Sequence, residues 1–293
     1  MFLFAGLLGM MMAGVALISI QDMFGTDDTS DDTPNDLSET GDATLAGGGG
    51  EDILQGGDGN DQIGGYAGND AIGGGAGRDA LDGMEGDDTL DGGDGADTLL
   101  GQDGADLLTG GKGDDHLMGG FGADTLLGET GADSLQGGAG DDVVLGGADD
   151  DALHGNDGDD TLMGEAGADT LMGGAGADLL HGGEDAARDY INGGAGADRL
   201  VIGSHDVASG GTEADQFIMG DWIENAAEIL DYSAGEDGLI VVTDEPDDVM
   251  ISHASDGAVT LMHGETVLAR FPAGTEIGEI TVLRSSEAIQ LLG

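Results

Sequence analysis

The chain of 293 residues contains no cysteine. Disulfide stapling and thiolate metal sites are therefore excluded. Basic residues are nearly missing. Six Lys plus Arg stand against 61 Asp plus Glu, a formal net charge of −55. Such a polyanion repels nucleic acid, which is excluded as a partner. Aromatic residues make up 3% of the chain. Few aromatics and a large charge of one sign ordinarily describe a disordered chain. A folded state needs something that neutralises the charge. The metal ligands that remain are carboxylates and backbone carbonyls, hard oxygen donors that suit Ca²⁺ far better than Zn²⁺ or Cu²⁺.

What the chain does have begins with residues 1–20, MFLFAGLLGMMMAGVALISI, which carry no charge. That is about the length of a bilayer-spanning helix. Ala5, Gly9 and Ala13 form a row of small residues on which two helices can approach closely. The first basic residue is Arg78, so the basic n-region of a signal peptide is missing. An uncleaved hydrophobic anchor helix is the favoured reading, and a cleaved signal stays open. Residues 21–46 hold eight acidic residues and no basic ones, and read as an extended acidic linker.

From Gly47 a period of nine sets in. The units run GGGGEDILQ, GGDGNDQIG, GYAGNDAIG and onward without a break to GGAGADLLH at 173–181, fifteen in all. An eleven-residue unit, GGEDAARDYIN (182–192), precedes GGAGADRLV (193–201). IGSHDVAS (202–209) is a shortened copy, and GGTEADQFI (210–218) is a degenerate last one. The eighteen units other than the shortened one all have Gly at position 1, Asp at position 6 and an apolar residue at position 8, from Leu54 and Ile63 to Leu200 and Phe217.

Each unit divides into a six-residue turn and a three-residue strand. Glycines at positions 1, 2 and 4 permit positive φ and close backbone approach. Carbonyls and the position-6 carboxylate then face one another. The strand turns position 8 inward and positions 7 and 9 outward. Consecutive units alternate sides, so one coil takes eighteen residues and Asp52 stacks on Asp70, Asp61 on Asp79. The candidate Ca²⁺ ligands are Asp52, Asp61, Asp70, Asp79, Asp88, Asp97, Asp106, Asp115, Asp124, Asp133, Asp142, Asp151, Asp160, Asp169, Asp178, Asp189 and Asp198. One ion per stacked pair of turns gives about 15 ions, on a roll about 40 Å long at ~4.8 Å per coil. The extra acids at Asp87, Asp114, Asp141, Asp150 and Asp159 read as solvated surface charge. The 182–192 insertion and Glu213 are expected to cost sites locally. Position 9 turns apolar at Leu100, Met118, Leu127, Leu145, Met163 and Met172, which suggests partial cover or scatter ahead of self-association.

One buried side chain per nine residues is little to set against the entropy of ordering nine backbones. The chain is therefore expected to be unfolded at cytosolic Ca²⁺ and to form the roll cooperatively outside the cell.

Beyond residue 218 the repeat is lost. Alternating β-branched stretches follow at 239–242, 248–255, 258–263, 266–271 and 279–284, with Asp256-Gly257 and Gly264-Glu265 where hairpin turns are needed. The expected architecture is all-β: a parallel β-roll over 47–218, capped by a small antiparallel domain at 219–293 and preceded by the hydrophobic helix.

Residues 47–218 resemble the RTX, or haemolysin-type, calcium-binding proteins, whose nonapeptide is G-G-x-G-x-D-x-U-x. Residues 214–242 look, more loosely, like that family's passage into a C-terminal secretion domain. The resemblance implies a Ca²⁺-loaded extracellular β-roll, exported by a type I secretion machinery. The apolar N-terminus departs from that export route and leaves anchoring at the cell surface open. Family repeats often trail a catalytic domain. Here 46 residues precede them, and neither HExxH nor GxSxG occurs. His116, His154, His181, His205, His253 and His263 are scattered. Trp222 reads as packing between roll and cap. A non-enzymatic structural or binding module is expected; an accessory or remnant of a secreted hydrolase and a calcium-dependent adhesin are the alternatives.

Overall fold

The computed structural model describes residues 35–36, 41–183, 185–245, 248–254, 257–284 and 286–287. The hydrophobic segment 1–20 lies outside the described residues. Among the described residues no helix is long and apolar enough to cross a membrane.

Positions 7 to 9 of one unit and 1 to 3 of the next form a single six-residue strand, as in Gln62–Ala67 and Leu107–Lys112. Its burial alternates, with positions 8 and 1 inside and 7, 9 and 2 outside. Strands from alternate units pair in parallel, Leu54 opposite Ile72 and Ile63 opposite Leu81, so the coil is eighteen residues long as the repeat implies. Among the described residues two sheets result, a first of 13 strands, all parallel, and a second of 14 that is parallel except at its C-terminal end. Between them the position-8 side chains form a single file from Leu54 to Phe217, most of them wholly shielded from water.

Departures from nine residues are absorbed in the turns. Across the 182–192 unit the pairing offset becomes twenty, with Leu171 opposite Ile191 and Leu180 opposite Leu200. Across the shortened unit it falls to seventeen, with Ile191 opposite Ala208 and Leu200 opposite Phe217. Position 8 stays in line because one wrong step would turn the apolar side chain outward.

The roll outruns the repeat at both ends. Thr44–Ala46 pairs with Gln62–Ala67 and buries Leu45, and Asn35–Asp36 pairs with the strand Ile53–Asp58. Part of the stretch read as linker therefore belongs to the sheets. At the other end the expected antiparallel domain is found only in part. Gly238–Val242 and Ile280–Leu283 extend the first sheet in parallel, and Ala227–Ile229 and Thr266–Phe271 extend the second. Among the described residues antiparallel pairing is confined to Val249–His253, Val259–His263 and Thr266–Phe271. Hairpin residues such as Gly264, at φ 58°, mark that meander correctly. They carry no information about the roll's open edge, whose unpaired N–H and C=O groups template the parallel additions. Trp222 packs where these strands join the roll and donates from Nε1 to the Ile202 carbonyl at 2.7 Å.

Candidate metal centre

Among the described residues the buried carboxyls are the position-6 aspartates and their counterpart Asp206 in the shortened unit. From Asp61 to Asp198 each is 0–3% exposed. Asp106 illustrates the geometry. Its Oδ1 accepts the Asp88 N–H at 2.8 Å, and its own N–H donates to Asp124 Oδ1 at 2.9 Å. Its Oδ2 is buried with no hydrogen-bond partner. A Cβ added to Gly101, position 1 of the same turn, would collide with that Oδ2 and lie 2.7 Å from the Gly119 carbonyl oxygen of the next coil. Position 1 thus leaves open a cradle into which a carboxylate oxygen and a carbonyl oxygen both point.

The pattern repeats as two ladders. One climbs from Asp52 through Asp70, Asp88, Asp106, Asp124, Asp142, Asp160 and Asp178 to Asp198. The other climbs from Asp61 through Asp79, Asp97, Asp115, Asp133 and Asp151 to Asp169 and Asp189. In fifteen of these residues Oδ2 is buried and unpartnered. Asp52, at the open end, differs: its Oδ2 accepts the Gly48 N–H at 2.5 Å. The 182–192 insertion does not break the ladder, because Asp189 Oδ1 still receives the Asp169 N–H at 2.9 Å.

From Asp70 upward, burial raises the ladder carboxyls above the usual value of 3.8, and at Asp106 and Asp115 the aspartates one coil above and below add to the effect. Asp70, Asp79 and Asp133 are pushed up to about 6, and Asp106, Asp115, Asp142, Asp151 and Asp169 to about 7. The hydrogen bond from the neighbouring Asp backbone opposes the shift without cancelling it.

This donor set fits a hard cation. It is all oxygen, it is acceptor-rich, and its spare oxygen is buried without a proton donor. Among the described residues no three His, Cys, Asp or Glu side chains converge on one point. Carboxylates alone therefore do not complete a coordination shell, and the carbonyls of the glycine turns have to contribute. That demand matches Ca²⁺, which takes six to eight oxygens from mixed sources.

Three ladder members fall outside the seventeen aspartates singled out from the repeat. Asp206, Asp215 and Asp237 accept the N–H groups of Asp189, Asp198 and Asp215. Asp206 and Asp215 stand at position 6 of irregular units, so their register was visible. Asp237 has no repeat around it. The acids expected to be mere surface charge also have partners. At position 5, Asp87, Asp114, Asp141, Asp150 and Asp159 each accept the backbone N–H of position 5 one coil on. They supply acceptors where a turn's N–H faces outward.

A comparison with protein families matches the chain to the family described as RTX calcium-binding nonapeptide repeat (4 copies), in overlapping segments that run from residue 39 to residue 204. A comparison with curated proteins gives no match. The matched segments cover more than half of the chain and start ahead of Gly47, where Thr44–Ala46 already pairs into the roll. Repeats of this kind bind Ca²⁺ and serve a structural role, which is the use that two ladders of buried, half-satisfied carboxylates call for. With sequence register, roll and ladders in agreement, the chain belongs to the RTX calcium-binding nonapeptide repeat family.

Proposed function

We propose that the protein is a secreted structural module whose roll forms only when Ca²⁺ fills the aspartate turns outside the cell. The observation that carries this reading is the file of fifteen buried Oδ2 atoms with no partner. Ionising any of them in the folded chain leaves a desolvated charge with no donor in the turn to compensate it. A bound divalent cation supplies the compensating charge. The residues that would hold it are the seventeen aspartates from Asp52 to Asp198, together with carbonyls of the glycine turns. Filling about 15 sites, the number expected for ions shared between stacked turns, would bring the formal charge from −55 to about −25 (−55 + 30). At an external Ca²⁺ near 1 mM and a site affinity near 10⁻⁴ M, each site adds about 1.5 kcal/mol by mass action. Cytosolic Ca²⁺ lies far below that affinity. The chain would then leave the cell unfolded, by a type I route, and fold on arrival.

Far-UV circular dichroism during a calcium titration tests the proposal. A coil spectrum in chelator should convert cooperatively to a strand spectrum at millimolar Ca²⁺. A strand spectrum that persists in excess chelator at neutral pH would overturn it.

A further inference from the structure

Among the described residues the second sheet ends on the strand Val249–His253, which pairs with Val259–His263 alone. Its other edge is open. Every residue of the strand after Val249 is exposed, with Met250 at 52% and Ile251 at 36%. Open edges template pairing with another chain, and proteins ordinarily guard them with charge or proline. This edge has neither. From Val249 to His253 there is no Lys, Arg, Asp, Glu or Pro, in a chain where 23% of residues are charged.

Pairing parity fixes which backbone groups face outward. The Ala254 N–H donates to the Ala258 carbonyl at 2.8 Å, and the Gly264 N–H donates to the Asp248 carbonyl at 3.0 Å. Between them the register is unbroken, from Val249 opposite His263 to His253 opposite Val259. Hydrogen-bonded pairs alternate with non-hydrogen-bonded pairs along an antiparallel ladder. Met250 and Ser252 therefore bond inward, and the N–H and C=O groups of Val249, Ile251 and His253 point to the open edge. Ile251 stands opposite Leu261, which is fully buried, so the core of the cap runs out to the edge at this residue.

We propose that two copies of this chain pair edge to edge through Val249–His253, antiparallel, about a two-fold axis at Ile251. The register is self-complementary. Ile251 meets the partner's Ile251, and Val249 meets the partner's His253 at either end. Every outward group of both strands is then used, in about six hydrogen bonds. The two Ile251 side chains join the two rows that begin at Leu261, so the apolar face continues from one cap into the other. No like charges meet, because Asp248 falls opposite the partner's Ala254. Electrostatics favours this end of the molecule for a second copy. The edge lies four strands beyond Val207–Thr212, the last strand of the second sheet to carry the repeat, about 19 Å at ~4.8 Å per step. The paired copies keep their aspartate ladders about 40 Å apart, several times the Debye length of ~8 Å at physiological ionic strength. An isologous contact of this kind closes on itself, so assembly stops at two. Its small area makes the dimer weak and dependent on concentration.

The chain has no cysteine, so a single introduced thiol reports on the register. Ile251→Cys places two thiols on the axis, with Cα atoms about 5.5 Å apart and within disulfide reach. His253→Cys leaves them about 14 Å apart, out of reach. Both variants are oxidised mildly as calcium-loaded full chains, with circular dichroism verifying the strand spectrum. Ile251→Cys should form the linked dimer about tenfold faster, or more, than His253→Cys. Sedimentation of the unaltered chain should shift from the mass of one chain toward two between about 1 and 100 µM. Ile251→Lys, which puts like charges on the axis, should abolish that shift. The mass of one chain at every concentration would overturn the proposal. So would equal cross-linking of the two cysteine variants, which would mean random collision or another register. A mass that climbs past two chains would overturn the closed pair in favour of open-ended aggregation.

Discussion

Eight side chains sit where the repeat prefers glycine and still adopt its backbone. Tyr66, Met84, Gln102, Glu129, Asn156 and Glu165 replace Gly at position 2, and Asp149 and Glu213 replace it at position 4, all with φ between 73° and 84°. A side chain in that region costs about 1 kcal/mol relative to glycine. Glu129→Gly should therefore stabilise the calcium-loaded roll by roughly that amount, a rise of a few degrees in melting temperature. An unchanged or lower transition would contradict this account of the turn. At position 1 the constraint is the cradle. Gly101→Ala would place a methyl group against Asp106 Oδ2. The variant should lose calcium at that level, read by calorimetry as a lower stoichiometry and a higher midpoint. Asp106→Asn acts in opposite directions in the two states. It removes a buried charge from the metal-free roll and a ligand from the loaded one. It should promote strand formation in chelator and raise the calcium midpoint; movement of both in the same direction would separate Asp106 from the metal.

At the scale of the strand, the repeat made most of the structure legible. A position-8 apolar residue every nine places implied two sheets and an eighteen-residue coil, and Leu54 does face Ile72. Position-6 Asp implied stacked carboxylates, and Asp106 does lie between Asp88 and Asp124. Less could be read where structure depends on what lies opposite. Gly238–Val242 is as apolar as any hairpin strand, and only the open edge of the roll turns it into a parallel addition. The file of core side chains also sets a test. Leu126→Ala, at a site with 0% exposure in mid-roll, should destabilise the loaded protein by roughly 2–5 kcal/mol in chemical denaturation. A loss below about 1 kcal/mol would mean that the file is not the core.

For the whole molecule, protons and calcium compete for the same oxygens. In the folded chain burial pushes Asp70 up to about 6 and Asp106 up to about 7, against a usual value of 3.8. A raised folded value means that the metal-free roll holds protons more tightly than the unfolded chain does. Its stability is thus fully present below about 3.8 and is lost as pH rises through 6 to 7. In chelator, strand content should fall between pH 5 and 7.5, and added Ca²⁺ should restore it at the upper end. A chelated chain that gains strand as pH rises would have the opposite linkage. The same coupling should make calcium affinity weaken as pH drops below about 6.

All of these expectations depend on how many ions the ladders hold. Equilibrium dialysis of the full chain at millimolar Ca²⁺ counts them directly. The stacked turns predict about 15 bound ions per molecule, taken up over a narrow concentration range. One or two ions, with the strand spectrum already complete, would contradict the claim that cations clamped between aspartate turns hold this roll together.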